Sequence, residues 1–467
     1  MKQLPYQADI TIQNAVHCAI PRDQARFISE SISYEKTYWR QGPFKKEQHK
    51  YKAYFFTHKS REYSFFLTGH LKRVLFWCKE NGVRVKVSGT RPSQCMDPFR
   101  RAPILPNITL RPDQVELVNE ALRIKRGVIK APTRTGKTVI QYAIVSAYNG
   151  INTLFLAHTK DLVNQLADEG KRFGFNIARF VGEHKDLNWA EKDQVVVMTR
   201  QSCANLIKQN HPLADYFNMI VIDEAHHVTS PDGQYAKILT HIKAPLRYGF
   251  TATMPDSVES SLSLEGYVGP IVGELTIEEA INKDILVKPK MIIRKAPHSR
   301  IAIQTKYADV YDKGIVNNLN RNKMIADITK EYVDNGSSVL ILVNKILHGH
   351  NIETELREIF VPAYYVQGET ETKTRDWVKR NLIAKRIMCV IATTVWKEGI
   401  NIPSLNVCIN AAGGKSEIST LQSVGRSLTK TEGKDHAVIV DLFDPSHHYL
   451  ISHFGERIIL YTDQGWI

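Results

Sequence analysis

The run Ala131-Pro132-Thr133-Arg134-Thr135-Gly136-Lys137-Thr138 has the residue types of a loop that holds phosphates. It follows a short apolar run and opens a helical stretch from Val139 to Tyr148, the strand–loop–helix setting that such a loop needs. Backbone N–H groups at a helix N-terminus face an anion there, and the helix dipole adds to the attraction. Lys137 supplies a point charge for the terminal phosphates, and the Thr138 hydroxyl can ligate Mg2+. Thr133, Arg134, Thr135 and Gly136 make up the rest of the candidate cradle, although Ala131 stands where the usual pattern begins with Gly. The second group of reactive residues lies 86 residues after Lys137, where Met219-Ile220-Val221-Ile222 runs into Asp223-Glu224-Ala225-His226. An acid at the C-terminal end of a buried strand, expected beside the phosphate-loop strand, can hold Mg2+ partly through water. The adjacent Glu224 can then polarise an attacking water as general base. Together the two groups imply hydrolysis of a nucleoside triphosphate held with Mg2+.

Residues of this kind have to be presented by strand ends, and the apolar pattern supplies the strands. Between residues 106 and 285, short apolar runs alternate with amphipathic stretches. The runs are Gly127–Lys130, Thr153–Leu156, Val195–Met198, Met219–Ile222 and Tyr248–Phe250. A second series over 286–467 contains Val339–Val343, Ala363–Val366, Met388–Ile391, Val407–Ile409 and Ala437–Val440. Buried parallel strands joined by helical crossovers read this way, so two doubly wound α/β domains in tandem are expected. Residues 1–105 are different. Ala53–Phe56, Tyr63–Leu67 and Val83–Val87 suggest strands, and Leu71–Trp77 suggests a helix with a basic face, which together predict a small α+β domain. Pro92, Pro98, Pro103 and Pro106 then mark a linker.

Composition narrows the partners. The 467 residues carry 62 Lys plus Arg against 48 Asp plus Glu, a formal charge of +14 that calls for a polyanion. Most of the surplus sits in residues 1–101, with 19 basic against 8 acidic residues. That block also holds 16 of the 42 aromatic residues. No apolar stretch is long enough to span a bilayer, and the N-terminus has no signal-peptide pattern. The six cysteines form no C-x-x-C pair, so neither a zinc site nor a dense disulfide framework is expected, and a reducing, cytoplasmic setting fits.

Residues 110–445 resemble the superfamily 2 helicases and translocases of DEAH-box type, whose motifs recur here in the family's order. Asp223-Glu224-Ala225-His226 is similar to the motif that gives the type its name. Leu110-Arg111-Pro112-Asp113-Gln114 looks like the segment whose glutamine, here Gln114, reads adenine. His158 and Thr159, followed by Gln165, resemble one strand-gripping motif; Thr199, Arg200 and Gln201 resemble the next. Thr251-Ala252-Thr253 is similar to the motif that links nucleotide state to strand grip. In the second domain, Gln367 and Gly368 resemble a strand-contacting segment. The stretch from Thr393 and Thr394 through Gly399 and Asn401 looks like the motif touching both strand and nucleotide. Gln422-Ser423-Val424-Gly425-Arg426 looks like the motif that supplies Gln422 and an arginine finger, Arg426, to the γ-phosphate. The resemblance implies two RecA-like domains, ATP and Mg2+ as cofactors, and movement along a nucleic acid. Three positions depart from the family. Arg134 replaces a common Gly, Asn401 replaces a frequent Asp, and Thr429 followed by Lys430 stands where a second arginine is usual.

In size, in its small N-terminal domain and in motif style, the chain also resembles phage recombination helicases of the UvsW type. That kinship implies branched DNA as partner, with forks and four-way junctions unwound or migrated by a monomer in the host cytoplasm. RNA is the less favoured partner, because the DEAH spelling differs from that of the common local RNA unwinders. A third reading is an ATP-gated binder or a restriction motor that does not unwind. Charge and aromatics interleave from Tyr34 to Tyr54, a composition that can track a backbone and stack on bases or fill a small core.

Overall fold

The computed structural model describes residues 7–41, 46–57, 60–92, 96–98, 105–182, 184–185, 193–393, 402, 404–414, 428–430 and 434–467. By its internal contacts the chain divides into two units. One takes in the chain up to Ala131 together with Gly136–Glu274, and the other takes in Pro132–Thr135 with Leu275–Ile467.

Among the described residues, the N-terminal part of the first unit contains seven strands: β1 (Gln7–Ile12), β2 (His17–Pro21), β3 (Ser33–Gln41), β4 (Lys46–Tyr54), β5 (Phe56–Thr57), β6 (Tyr63–Leu67) and β7 (Arg84–Ser88). Five of them form a mixed sheet in the order β5-β6-β2-β1-β7, while β3 and β4 pair only with each other as a separate hairpin. Alternation explains the core. Ala8, Ile10 and Ile12 of β1 point inward and are buried, as the two-residue period of a strand dictates. The helix Leu71–Glu80 covers this sheet with Leu71, Val74 and Cys78, one stripe at helical spacing. The expected strands at 63–67 and 83–87 are present. The run Ala53–Phe56 instead breaks at Phe55, which turns inward and is buried against Tyr34 with ring centroids 5.1 Å apart.

The rest of this unit is an eight-stranded sheet. Its members are β8 (Arg126–Lys130), β9 (Thr153–Ala157), β10 (Ile177–Val181), β11 (His184–Lys185), β12 (Val195–Thr199), β13 (Met219–Asp223), β14 (Leu246–Thr251) and β15 (Ile271–Glu274). They run in the order β11-β10-β12-β9-β13-β14-β8-β15, parallel except for the β10–β11 pair. Every residue of β9, β12, β13 and β14 is buried, which is why they read as unbroken apolar runs rather than alternating ones. The acid strand β13 is not the neighbour of the phosphate-loop strand β8, as the sequence suggested. Strand β14 lies between them.

The second unit holds a six-stranded, all-parallel sheet of β16 (Lys288–Lys295), β17 (Val339–Leu342), β18 (Tyr364–Val366), β19 (Cys389–Ala392), β20 (Val407–Asn410) and β21 (His436–Phe443), in the order β16-β21-β20-β17-β19-β18. The C-terminal helix His448–Asp463 is tied to β21 by buried polar contacts. Arg457 Nε donates to Asp441 Oδ2 at 2.7 Å, and the Tyr461 hydroxyl donates to the same oxygen at 2.8 Å. A second buried pair, Arg321 with Asp444 at 2.7 Å, ties the helix Leu319–Asp334 to the segment after β21.

The N-terminal module rests on the helix Val258–Tyr267 of the eight-stranded domain. There the backbones meet directly. A Cβ on Gly69 would lie 2.0 Å from the Glu265 carbonyl oxygen, and one on Gly266 would lie 2.5 Å from a Leu67 methyl. Around this contact His70 Nε2 donates to the Leu262 carbonyl at 2.7 Å, and Arg73 grips the Glu265 carboxylate with three bonds of 2.6–3.0 Å. Arg126 of β8 adds a stitch, donating to Val268, Tyr267 and Ala15 carbonyls. Its burial among neutral oxygens pulls its pKa down to about 10.

Two outcomes are expected. Gly69→Ala forces a carbon into backbone oxygens and should cost about 1–3 kcal/mol, typical of overpacking, in urea unfolding. Burial pulls the His70 pKa down from 6.5 to about 4. The unfolded chain therefore binds the extra proton between these values, and stability should fall as pH drops from about 6.5 towards 4. Thermal midpoints across that window should decline less steeply in His70→Gln, which keeps a donor for Leu262.

Candidate nucleotide and nucleic-acid site

All the candidate groups of the eight-stranded sheet lie on one edge, because its parallel strands end together. The phosphate loop follows β8, Thr251 ends β14, Asp223 ends β13, His158 follows β9 and Thr199 ends β12. The loop itself bends through two left-handed residues, Arg134 (φ 77°) and Gly136 (φ 84°). Gly is the usual choice at such angles, which accounts for the family preference at position 134. Thr135 Oγ1 donates to the Pro132 carbonyl at 2.8 Å, closing the turn. Lys137 opens the helix Lys137–Ser146, and its ammonium reaches back to the Ala131 carbonyl at 3.2 Å. Gln114 accepts from the Arg111 backbone N–H at 3.1 Å and so helps to cap the helix Pro112–Ile124. Its Nε2 lies 2.5 Å from where a Gly136 Cβ would stand. The glutamine thus packs on the loop, and a side chain at 136 would have to displace it and hold a strained positive φ.

Asp223 and Glu224 are both buried. Asp223 Oδ1 accepts from Gln141 Nε2 at 3.0 Å. Gln141 is four residues after Lys137 on the same helix, so both side chains project from one face. Glu224 takes up a left-handed backbone (φ 50°) that turns the chain sharply after the strand. His226 Nδ1 lies 3.0 Å from Thr251 Oγ1 and 3.4 Å from Glu224 Oε2. Thr251 donates its hydroxyl proton to the Thr253 carbonyl at 2.7 Å, so its oxygen is left to accept, and Nδ1 of His226 carries the hydrogen. The acid turn and the end of β14 are therefore hydrogen-bonded to each other.

A third carboxylate, missed in the sequence, approaches the same place. Glu169 accepts from Gln165 at 3.2 Å. Burial pushes its pKa up, opposed by hydrogen bonds from Gln165 and Thr138 and reinforced by Asp223. Its spacing of four from Gln165 was the available signal.

The strand-contact candidates take two forms. The Thr159 hydroxyl accepts from Leu162 N–H at 3.3 Å, and that of Thr199 accepts from Ser202 N–H at 3.2 Å. Each caps a helix whose N-terminus opens on this edge. His158 stacks on His227 with centroids 3.9 Å apart, and His227 meets His226 at 4.3 Å. The rings join the end of β9 to the acid turn. Arg200 lies over the Tyr235 ring, 5.6 Å from its centroid, and Gln201 is exposed. In the second unit, Gln367 and Thr393 come together at the ends of the paired strands β18 and β19. Thr393 N–H donates to the Val366 carbonyl at 3.1 Å, and Gln367 N–H donates to Thr370 Oγ1 at 3.0 Å. Gly368 follows in that turn. Thr394, Gly399, Asn401, Gln422 and Arg426 lie outside the described residues. Lys430 pairs with Asp284 of its own unit, and Thr429 bridges to Leu286.

Two family models match the chain in tandem. Residues 107–256 match the type III restriction enzyme res subunit, and residues 321–429 match the helicase conserved C-terminal domain. The ATP-dependent DNA helicase UvsW of Enterobacteria phage T4 is 25% identical over 380 residues, 75% of this chain and 74% of that protein. The chain belongs to the superfamily 2 helicases. A putative helicase of a Sulfolobus islandicus filamentous virus is 24% identical over 351 residues, 70% of this chain and 62% of that one. Among solved structures, yeast Dbp5 bound to RNA and ADP BeF3 matches 77% of this chain and 92% of that chain, with TM-score 0.55 and 17% identity. That likeness establishes two RecA-like parallel-sheet domains. As a superfamily 2 helicase the chain is an ATP-dependent enzyme with a nucleic-acid partner. Among the described residues no helix is long and apolar enough to cross a membrane.

Removing the buried amide that serves Asp223 should be measurable. Gln141→Leu is expected to lose about 1.5–3 kcal/mol, the usual worth of a hydrogen bond to a charged group, in urea unfolding. Arg134→Gly relieves a left-handed arginine and should unfold within about 1 kcal/mol of the parent. Arg134→Val, β-branched at positive φ, should be the least stable of the three.

Proposed function

We propose that the chain is a nucleic-acid-stimulated ATPase that unwinds or branch-migrates forked and four-way DNA, working as a monomer in the cytoplasm, that of the host if phage-encoded. The observation that carries the ATPase half is the shared edge on which Lys137, Asp223 and Glu224 meet. The residues fit a magnesium nucleotide. The left-handed turn leads into a helix N-terminus, a favourable setting for an anion, Gly136 leaves no side chain in the way, and a buried carboxylate accepts from Gln141. Lys137 and the loop 133–136 would hold the phosphates, and Thr138 and Asp223 would hold the ion. ATP with Mg2+ supplies a phosphoanhydride whose cleavage is strongly favourable. Glu224 takes the proton of the attacking water, and His226, bonded to Thr251, lies beside that carboxylate. Gln114 would read the adenine, and Arg134 adds positive charge at the loop. In this reading Gln422, Arg426, Gly399 and Asn401 contribute to nucleotide turnover.

His158, Thr159, Thr199, Arg200 and Gln201 would line the strand path on the first unit, with Gln367, Gly368, Thr393 and Thr394 on the second. Helix N-termini capped by Thr159 and Thr199 suit phosphates without reading bases. Such contacts predict affinity that falls steeply with salt. Similarity to UvsW and the basic N-terminal module support branched DNA over RNA.

Lys137→Ala and Glu224→Gln are each expected to abolish DNA-stimulated phosphate release; retained stimulation in both would sink the site assignment. Strand displacement is to be compared on fork, four-way, tailed-duplex and RNA duplex substrates. Faster displacement on the DNA junctions supports the reading. Preference for the RNA duplex would overturn it, and ATP hydrolysis with no displacement would favour a non-unwinding motor.

A further inference from the structure

The hairpin β3–β4 carries chemistry that the motor does not use. Its register pairs Tyr34 with Ala53, Lys36 with Tyr51, Tyr38 with His49 and Arg40 with Glu47. Directly opposed residues share a face and neighbours two apart lie on the same side, so these eight line one face. Towards the base that face is anchored. Tyr34 is buried against Phe55, and Lys36 pairs at 3.7 Å with Glu259, on the helix Val258–Tyr267. That helix begins seven residues after Thr251, so the hairpin is rooted on the segment that follows the hydrogen-bonded end of β14.

Further out the same face is aromatic and open. Tyr38 is 45% exposed and Tyr51 47% exposed. Tyr38 stacks on His49 at 5.5 Å and meets Tyr51 edge-on at 5.7 Å. These contacts fix the rings against one another while leaving ring surface in solvent. A two-stranded ribbon has little stability of its own, so large apolar rings on it bury too little to be explained as core. Lys36 and Arg40 flank Tyr38 on the same face, and the block that contains the hairpin has 11 more basic than acidic residues. Fixed ring faces between cations are the means by which proteins hold unpaired bases and their phosphates.

We propose that Tyr38 and Tyr51 form a stacking site for unpaired bases of single-stranded DNA at a junction, with Arg40 beside the phosphates. This rests on the reading of the chain as a DNA-junction motor and assigns that motor's contact with the opened strand. Because the hairpin is rooted on the first motor domain, the site would move with that domain as a fixed arm.

The test uses the full chain with a fluorescein-labelled dT20, a forked DNA with two unpaired arms, and an RNA of the dT20 sequence. Tyr38→Ala/Tyr51→Ala should raise the Kd for dT20 at least tenfold. Tyr38→Phe/Tyr51→Phe, which keeps the rings, should stay within twofold of the parent. Thermal midpoints of both variants within 3 °C of the parent exclude unfolding as the cause. Equal dT20 binding by the alanine variant and the parent would overturn the proposal, as would tighter binding of the RNA than of dT20. The two readings fail separately. A parent that binds dT20 through these tyrosines but never unwinds the fork refutes the motor reading. A parent that unwinds while the alanine variant binds unchanged refutes the stacking site alone.

Discussion

The hydrogen bond between His226 and Thr251, 3.0 Å long and buried, is the junction through which the first unit is organised. It crosses from the turn after β13 to the end of β14, the strand between the acid and the phosphate loop. Both backbones are held by parallel ladders, so neither end can shift without stretching this bond or tilting a fully buried strand. Asp223 on one side and the phosphate loop on the other are consequently spaced by two inter-strand steps of about 4.8 Å each.

Beyond Thr251 the chain passes through Thr253 into the helix Val258–Tyr267, and that helix carries the N-terminal module. The candidate nucleotide edge and this helix are thus joined by one short stretch of backbone, and the module packs on the helix. A change in the acid turn has a physical route outward through packed groups: His226 to Thr251, the helix, then Glu259 and Glu265 to Lys36 and Arg73. Buried carbonyl-bonded arginines stiffen the surroundings. Arg247 donates to Ala244, Leu239, Tyr267 and Ile242, and burial lowers its pKa to about 9.

Much of the architecture was legible in the sequence, for a definite reason. Strands buried on both faces, such as Val195–Thr199 and Met219–Asp223, leave continuous apolar runs, and all ten such runs proved to be or to overlap strands. The phosphate loop and acid pair were legible because each lies at a strand end, where polarity changes abruptly. The hairpin β3–β4 was not foreseen as strands, since its faces are charged and aromatic rather than apolar and no period stands out. The intervening position of β14 was hidden because strand order is a property of crossovers, which no local pattern encodes. Gln141 and Glu169 escaped for a third reason: their roles arise from partners 82 and 31 residues away.

The contact at Gly69 and Gly266 bears on how such a protein can change over generations. Most interfaces drift, because a larger side chain on one surface can be answered by a smaller one opposite. At Gly69 the module meets the main chain of Glu265 and Gly266, and on that side there is no side chain left to shrink. Exchange of the N-terminal module between related genes would therefore require the incoming module to carry a glycine at the position of Gly69.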